Sequence, residues 1–195
     1  FYLKNADLMR RLRNEAQSLG RRLERLESDA KQPDISMIRG RSPLMRHLAR
    51  QVEGAAATDA TVLLLGESGT GKSLVSRILH RLSGRRHGSF VEVNCGAVPD
   101  SLIESELFGH ARGAFTGAER DRPGLFEEAN QGTLLLDEVA ELPMESQVKL
   151  LTVLEQRRVR RVGENKDRPV DVRVIAATNA DIASAVRRGD FREDV

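Results

Sequence analysis

From Tyr2 to Ala30 apolar residues recur at heptad spacing, with Tyr2, Met9, Ala16, Leu23 and Ala30 in one register and Leu12, Leu19 and Leu26 in the other. A seam of that period predicts a two-stranded coiled coil, because both registers stay turned toward a partner helix. Asn5 and Gly20 weaken the coiled coil, and only Arg22 with Glu27 supplies an opposite-charge pair at the flanking positions. An amphipathic helix packed on its own domain stays open as the other reading. Pro33 lacks the N–H that a continuing helix needs, so the pattern stops there and residues 35–40 read as an extended linker.

Past the linker the period changes. A helical stretch over 43–56 is followed by short apolar runs at 61–65, 90–93, 133–136 and 172–176, with helical spacing between them at 72–82, 99–108 and 143–156. The last two helices each begin at a proline, which suits a first helical turn. Unbroken apolar runs alternating with helices predict strands covered on both faces, and so an α/β layer fold with a mainly parallel sheet. The expected division is a coiled-coil or linker helix over 1–32 and one α/β domain over 33–195.

Composition narrows the class. With 39% hydrophobic, 31% charged and only 4% aromatic residues, the chain fits a soluble domain with an aliphatic core, and disordered or fibrous classes are disfavoured. The 31 basic residues are nearly cancelled by 29 acidic ones, so no chain-wide electrostatic footprint for nucleic acid exists. No apolar run approaches the roughly 20 residues that span a bilayer, and the first residues lack the basic-then-apolar pattern of a signal peptide. A cytoplasmic protein with no membrane partner is expected. The single cysteine, Cys95, reads as a small buried hydrophobe, and His47, His80, His87 and His110 lack metal-ligand spacing.

Chemistry concentrates in three strings. The first, Gly66-Glu67-Ser68-Gly69-Thr70-Gly71-Lys72-Ser73, follows the apolar run VLLL and opens a helical stretch, the context that makes a glycine-rich match a phosphate-binding loop. Its glycines let backbone N–H groups approach phosphate oxygens, and the helix N-terminus adds positive potential. Lys72 is then expected on the β- and γ-phosphates of ATP, and the Ser73 hydroxyl on Mg2+. The second string, GTLLLDEV, delivers Asp137 and Glu138 at the end of a buried strand. Asp137 is the expected metal-side acid and Glu138 the expected general base on the attacking water. The third, RVIAATN, ends in Thr178 and Asn179. Parallel sheets bind ligands at such carboxyl ends, so Asn179 can sense or orient the attacking water, with a capping or turn role equally open.

Between the phosphate loop and the acid lies GHARGAFTGAERDRPG, with four glycines, an isolated Phe115 and neither period. A loop of this length inside a compact domain is usually functional. Phe115 between Gly113 and Gly117 suggests a contact tip for another macromolecule, and burial in the core stays open.

These strings carry a resemblance. ESELFGHARGAFTGA, together with GESGTGKS, FVEVNCGA, GLFEEANQGTLLLDEV, RVIAATN and FRED, resembles the activators of sigma-54 RNA polymerase, a branch of the AAA+ P-loop ATPases, over about residues 38–195. The resemblance implies the three-layer AAA+ fold. It implies that Gly113, Ala114, Phe115, Thr116, Gly117 and Ala118 form a loop contacting the sigma-54 factor, with Phe115 and Thr116 at its tip. It further implies that Asn94 restrains Glu138, and that Arg192 is an arginine finger reaching a neighbouring subunit's nucleotide in a ring, hexameric in the family. On residue chemistry alone Arg192 is an ordinary surface arginine.

The family pattern continues past Val195 into a second arginine, a small helical lid and a helix-turn-helix domain. DNA contact is therefore expected only through that C-terminal domain, and loose ATP binding with slow hydrolysis is expected without the lid. FRED followed by valine rather than leucine is a mild departure. The arginines Arg157, Arg158, Arg160 and Arg161, interleaved with Val159 and Val162, suggest a short strand with one solvated face, direct DNA binding being the lesser reading. Two rivals remain: a P-loop ATPase serving another substrate, and a nucleotide-binding module that never hydrolyses.

Overall fold

The computed structural model describes residues 33–40 and 42–195, and the coiled-coil reading of 1–32 lies outside the described residues. Helix α1 (Pro43–Ala56) starts where Ser42 accepts the Leu44 N–H at 3.2 Å and Pro43 takes the first position. Strand β1 (Val62–Leu65) runs into α2 (Lys72–Leu82), and β2 (Phe90–Asn94) leads through a 3-10 turn, Cys95–Ala97, into α3 (Asp100–Phe108). The two-residue strands β3 (Gly109–His110) and β4 (Arg122–Pro123) pair antiparallel, and α4 (Leu125–Glu128) follows. Then come β5 (Thr133–Asp137), α5 (Met144–Gln156), the antiparallel pair β6 (Arg158–Arg160) and β7 (Asp167–Pro169), β8 (Arg173–Thr178) and α6 (Ile182–Arg188).

The central sheet is parallel throughout, in the order β1-β8-β5-β2. Alternation along the strands sends Leu135, Ile175 and Ala177 to one face, where Val52 and Ala56 of α1 and Ile78 and Leu79 of α2 cover them. Leu134, Leu136 and Val174 face the other way, onto Ile103 and Leu107 of α3, Phe126 of α4 and Leu150 of α5. Burial on both faces is why LLL reads as an unbroken apolar run rather than an alternating one. Phe108 and Phe126 stack at 5.7 Å between centroids, tying α3 to α4. The result is the expected α/β sandwich of helix layers around a parallel sheet.

Several boundaries differ from the sequence reading. Pro99 and Pro143 occupy the N-cap positions, one residue before their helices, with extended ψ of 140° and 148°. The strand expected over 172–176 begins at Arg173 and extends to Thr178. The stretch 35–40 is not a plain linker, since Ile35–Met37 forms a 3-10 turn and Ile38 is buried against α1. Its apolar residue finds the core once the turn reverses the chain. Among the described residues no helix is long and apolar enough to cross a membrane.

Candidate functional site

A parallel sheet places all its strand carboxyl ends on one edge, and here that edge gathers the three chemical strings. Leu65 is in register with Thr178, Leu136 with Ala176, and Asn94 with Asp137. The phosphate-loop residues therefore stand beside Asn179, with Asp137, Glu138 and Asn94 next along the same edge. The Gly66 N–H donates to the Thr178 carbonyl at 3.2 Å, stitching the start of the loop to the end of β8.

Within the loop, Gly69 and Gly71 take φ of 79° and 92°, a left-handed region that favours glycine, and the second turns the chain into α2. Thr70 Oγ1 donates to the Glu67 carbonyl at 2.8 Å. The Lys72 ammonium lies back across the loop, donating to the Gly66 carbonyl at 2.8 Å and the Glu67 carbonyl at 2.9 Å. Ser73 sits in the first turn of α2, where its neighbour's charge and the helix N-terminus favour anions.

At the end of β5 the backbone of Glu138 adopts φ 52° and ψ 46°, uncommon for a residue other than glycine. Asp137 supports it, its Oδ1 accepting the Glu138 N–H at 3.0 Å. A Cβ at Gly96 would stand 2.6 Å from Glu138 Oε2 and 3.5 Å from Asn94 Oδ1. The bare Gly96 thus lets the carboxylate lie over the turn that follows β2. Asn94 caps that turn, its Oδ1 accepting the Ala97 N–H at 3.1 Å. Cys95 is buried as expected, its thiol pushed up to about 12 by burial and then by the nearby Asp137 and Glu138 carboxylates. Such a thiol stays protonated and inert at neutral pH.

Arg192 has its guanidinium forked onto Asp194 at 2.8 and 2.6 Å. Its backbone is held by Gln147, a fully buried side chain on α5 that accepts the Arg192 N–H at 2.9 Å and donates to the Leu142 and Asp190 carbonyls. Gln147 escaped the sequence reading; a polar residue at a buried helical position was its only signal.

The loop of residues 113–118 is less irregular than its composition suggests. At its base Gly109 and Gly124 pass backbone to backbone, since a Cβ at Gly124 would stand 2.3 Å from the Gly109 nitrogen. The Gly113 N–H closes the loop onto the Ala118 carbonyl at 2.8 Å. Phe115 is 40% exposed and meets the His110 ring edge-on at 5.0 Å between centroids, so it is neither buried in the core nor wholly free of support. Ala118 is buried, while Thr116 is exposed. The segment joining β6 to β7 meets this base through Val162, whose N–H donates to the Gly109 carbonyl and whose carbonyl accepts the Ala111 N–H, both at 2.9 Å.

The arginine run forms the expected short strand with Val159 buried inside it. Arg160 pairs with Asp167 at 2.8 Å and Arg161 forks onto Glu127 at 2.7 and 2.9 Å. Arg157 donates to the Val172 carbonyl. Arg160 and Arg161 thus each have a carboxylate partner within the domain.

A glycine-rich loop between a parallel strand and a helix, with an acid pair at the end of the next strand but one in the same sheet, defines a P-loop nucleoside-triphosphatase fold. The Sigma-54 interaction domain family model matches residues 38–195, and the chain belongs to that family. The Sigma54-dependent transcriptional activator SfnR of Pseudomonas putida is 54% identical over 153 residues, which cover 78% of this chain and 42% of that protein. The C4-dicarboxylate transport transcriptional regulatory protein DctD of Rhizobium meliloti is 47% identical over 192 residues, covering 98% of this chain and 40% of its own length. The chain thus spans less than half of each of these relatives. Among solved structures, NtrX from Brucella abortus in complex with ATP superposes with a TM-score of 0.80 at 37% identity, over 94% of this chain and 38% of that one.

Proposed function

We propose that this chain is the ATP-hydrolysing module of a bacterial sigma-54 activator, working in the cytoplasm and contacting the sigma-54 factor through Gly113, Ala114, Phe115, Thr116, Gly117 and Ala118. The observation that carries the reading is the meeting of the phosphate loop, the Asp137–Glu138 pair, Asn94 and Asn179 on one sheet edge, in a domain that also extends a glycine-flanked, half-exposed phenylalanine.

The residues fit ATP and magnesium. Backbone N–H groups of Gly66, Glu67, Ser68, Gly69, Thr70 and Gly71 would surround the phosphates, and Lys72 would exchange its two loop carbonyls for β- and γ-phosphate oxygens. Ser73 and Asp137 would hold the metal, which needs only one or two protein oxygens when phosphates and water complete its shell. Bound there, Mg2+ supplies neutralisation of charge on the transferring phosphoryl group. Glu138 then takes the proton of the attacking water, Asn179 orients that water, and Asn94 holds the Glu138 carboxylate back until the γ-phosphate is sensed. Arg192 must leave Asp194 to reach a neighbouring subunit, and an exposed pair of this kind is easily parted. In this reading the chain assembles through dimers into a ring, and turnover at subunit interfaces moves the Phe115 loop to remodel RNA polymerase held by sigma-54 at the closed promoter. DNA is engaged by another part of the protein.

The test is capture of purified sigma-54 factor by the chain with ADP, Mg2+ and a metal-fluoride mimic of the transferring phosphoryl group. A nucleotide-dependent complex lost with Phe115→Ala is expected. No complex, or an undiminished one with Phe115→Ala, overturns the assignment.

A further inference from the structure

His110 takes no part in the chemistry proposed above, yet the contact loop is built against it. Its backbone is fixed on both sides. Strand β3 pairs His110 with Arg122, and Val162 bonds to the residues before and after it. Its ring is buried and turned by a side chain from α3, with Ser105 Oγ 2.7 Å from His110 Nδ1, and Ser105 is itself buried. The ring so fixed meets Phe115 at a T-shaped angle of 65°. Backbone, Nδ1 and ring edge are thus all set before Phe115 arrives. Phe115 is flanked by Gly113 and Gly117 at positive φ, which cannot by themselves hold an aromatic ring in one place.

We propose that His110, oriented by Ser105, is the positioning residue that props the Phe115 ring in its presented, half-exposed place. The assignment rests on the reading of residues 113–118 as the sigma-54 contact. A propped ring docks without first losing its rotational freedom, so the prop acts on partner affinity. An edge-to-face aromatic contact corresponds to roughly a two- to tenfold effect on such an equilibrium.

The chain contains no tryptophan, so Phe115→Trp places a single indole at the loop tip. In the full chain, acrylamide quenching of Trp fluorescence is expected to rise at least about twofold when His110→Ala is added, with a red-shifted emission, because the indole loses its contact. His110→Phe keeps a ring edge and is expected to retain most of the protection. Ser105→Ala, which leaves the backbone untouched, is expected to lie between and covers the case in which His110→Ala fails to fold. Equal quenching in all four proteins overturns the proposal. In the native background, His110→Ala and Ser105→Ala are expected to weaken sigma-54 capture by roughly two- to tenfold. Unchanged or tighter capture also overturns it. If the unsubstituted chain captures no sigma-54 factor, the functional reading fails while the quenching series still decides whether His110 props the loop.

Discussion

Lys72→Ala tests the phosphate site at the atom where structure and chemistry meet. In the chain as folded, the ammonium already makes two bonds, to the Gly66 and Glu67 carbonyls at 2.8 and 2.9 Å. Binding ATP therefore exchanges partners rather than creating contacts from nothing, and only the difference counts. Both sets of bonds have an ionised donor, but the carbonyls left are neutral while the phosphate oxygens gained are anionic, so the exchange adds ion-pair attraction to the hydrogen bonds. A net loss of about 1.5–3 kcal/mol follows for removing the ammonium, which is roughly a 10- to 150-fold weakening of ATP binding. AMP lacks the two phosphates that Lys72 would reach, so its affinity should change by less than about threefold. Folding should be little affected, since Val75, Ile78 and Leu79 keep the inner face of α2 in the core and alanine favours the helix. The assay is titration with ribose-labelled ATP and AMP in the presence of Mg2+, with a thermal melt as the control on folding. Equal weakening of both nucleotides, or an ATP loss below about threefold, would refute the argument.

Glu138→Gln keeps the shape of the side chain and removes its basicity, so phosphate release should fall by about 10²–10⁴ while ATP affinity holds; loss of binding as well would show that Glu138 grips the nucleotide instead. His80 is held below its ordinary pKa chiefly by burial and secondarily by the Arg173 charge, with Nδ1 2.9 Å from Thr133 Oγ1. The folded state then binds fewer protons than the unfolded one, so this contribution is complete above the unfolded pKa of about 6.5 and is lost as pH falls below it. Denaturation midpoints measured from pH 8 to 5 should decline on the acid side, and His80→Gln should flatten that decline; an unchanged slope would exclude His80 as its source. Leu135→Ala, fully buried where β5 meets α1 and α2, should cost about 2–5 kcal/mol in urea denaturation. A cost below about 1 kcal/mol would mean that this face packs loosely.

What could be read in the sequence was whatever local chemistry dictates. The LLL run of β5 admits only a strand covered on both faces, and the glycine-lysine-serine string admits few backbones other than a loop entering a helix. From these the parallel sheet follows, and with it the gathering of Lys72, Asp137 and Asn179 on one edge. The Arg158–Arg160 strand was legible for a related reason, because Val159 alone among charged neighbours must point inward.

What escaped reading depends on approaches between residues far apart in sequence. Nothing in GHARGAFTGA indicates that Gly109 must meet Gly124, or that His110 must turn its ring toward Phe115, because those contacts need α3 to deliver Ser105 and the stretch after β6 to deliver Val162. Gly96 has no room for a side chain only because β5 brings the Glu138 carboxylate over it. The extended-linker reading failed similarly, since Ile38 is buried only because α1 folds back across the sheet. The two kinds of residue divide by what sets them. Groups that would touch phosphate are fixed by their own strand end or helix start, and so carry a local signature. Groups that hold Glu138 and Phe115 in place are fixed by a second segment, so their identities become intelligible only when both segments are seen together. This is why Gln147, buried and bonded to Leu142, Asp190 and Arg192, could pass for an ordinary helical glutamine while securing the segment that carries the proposed finger.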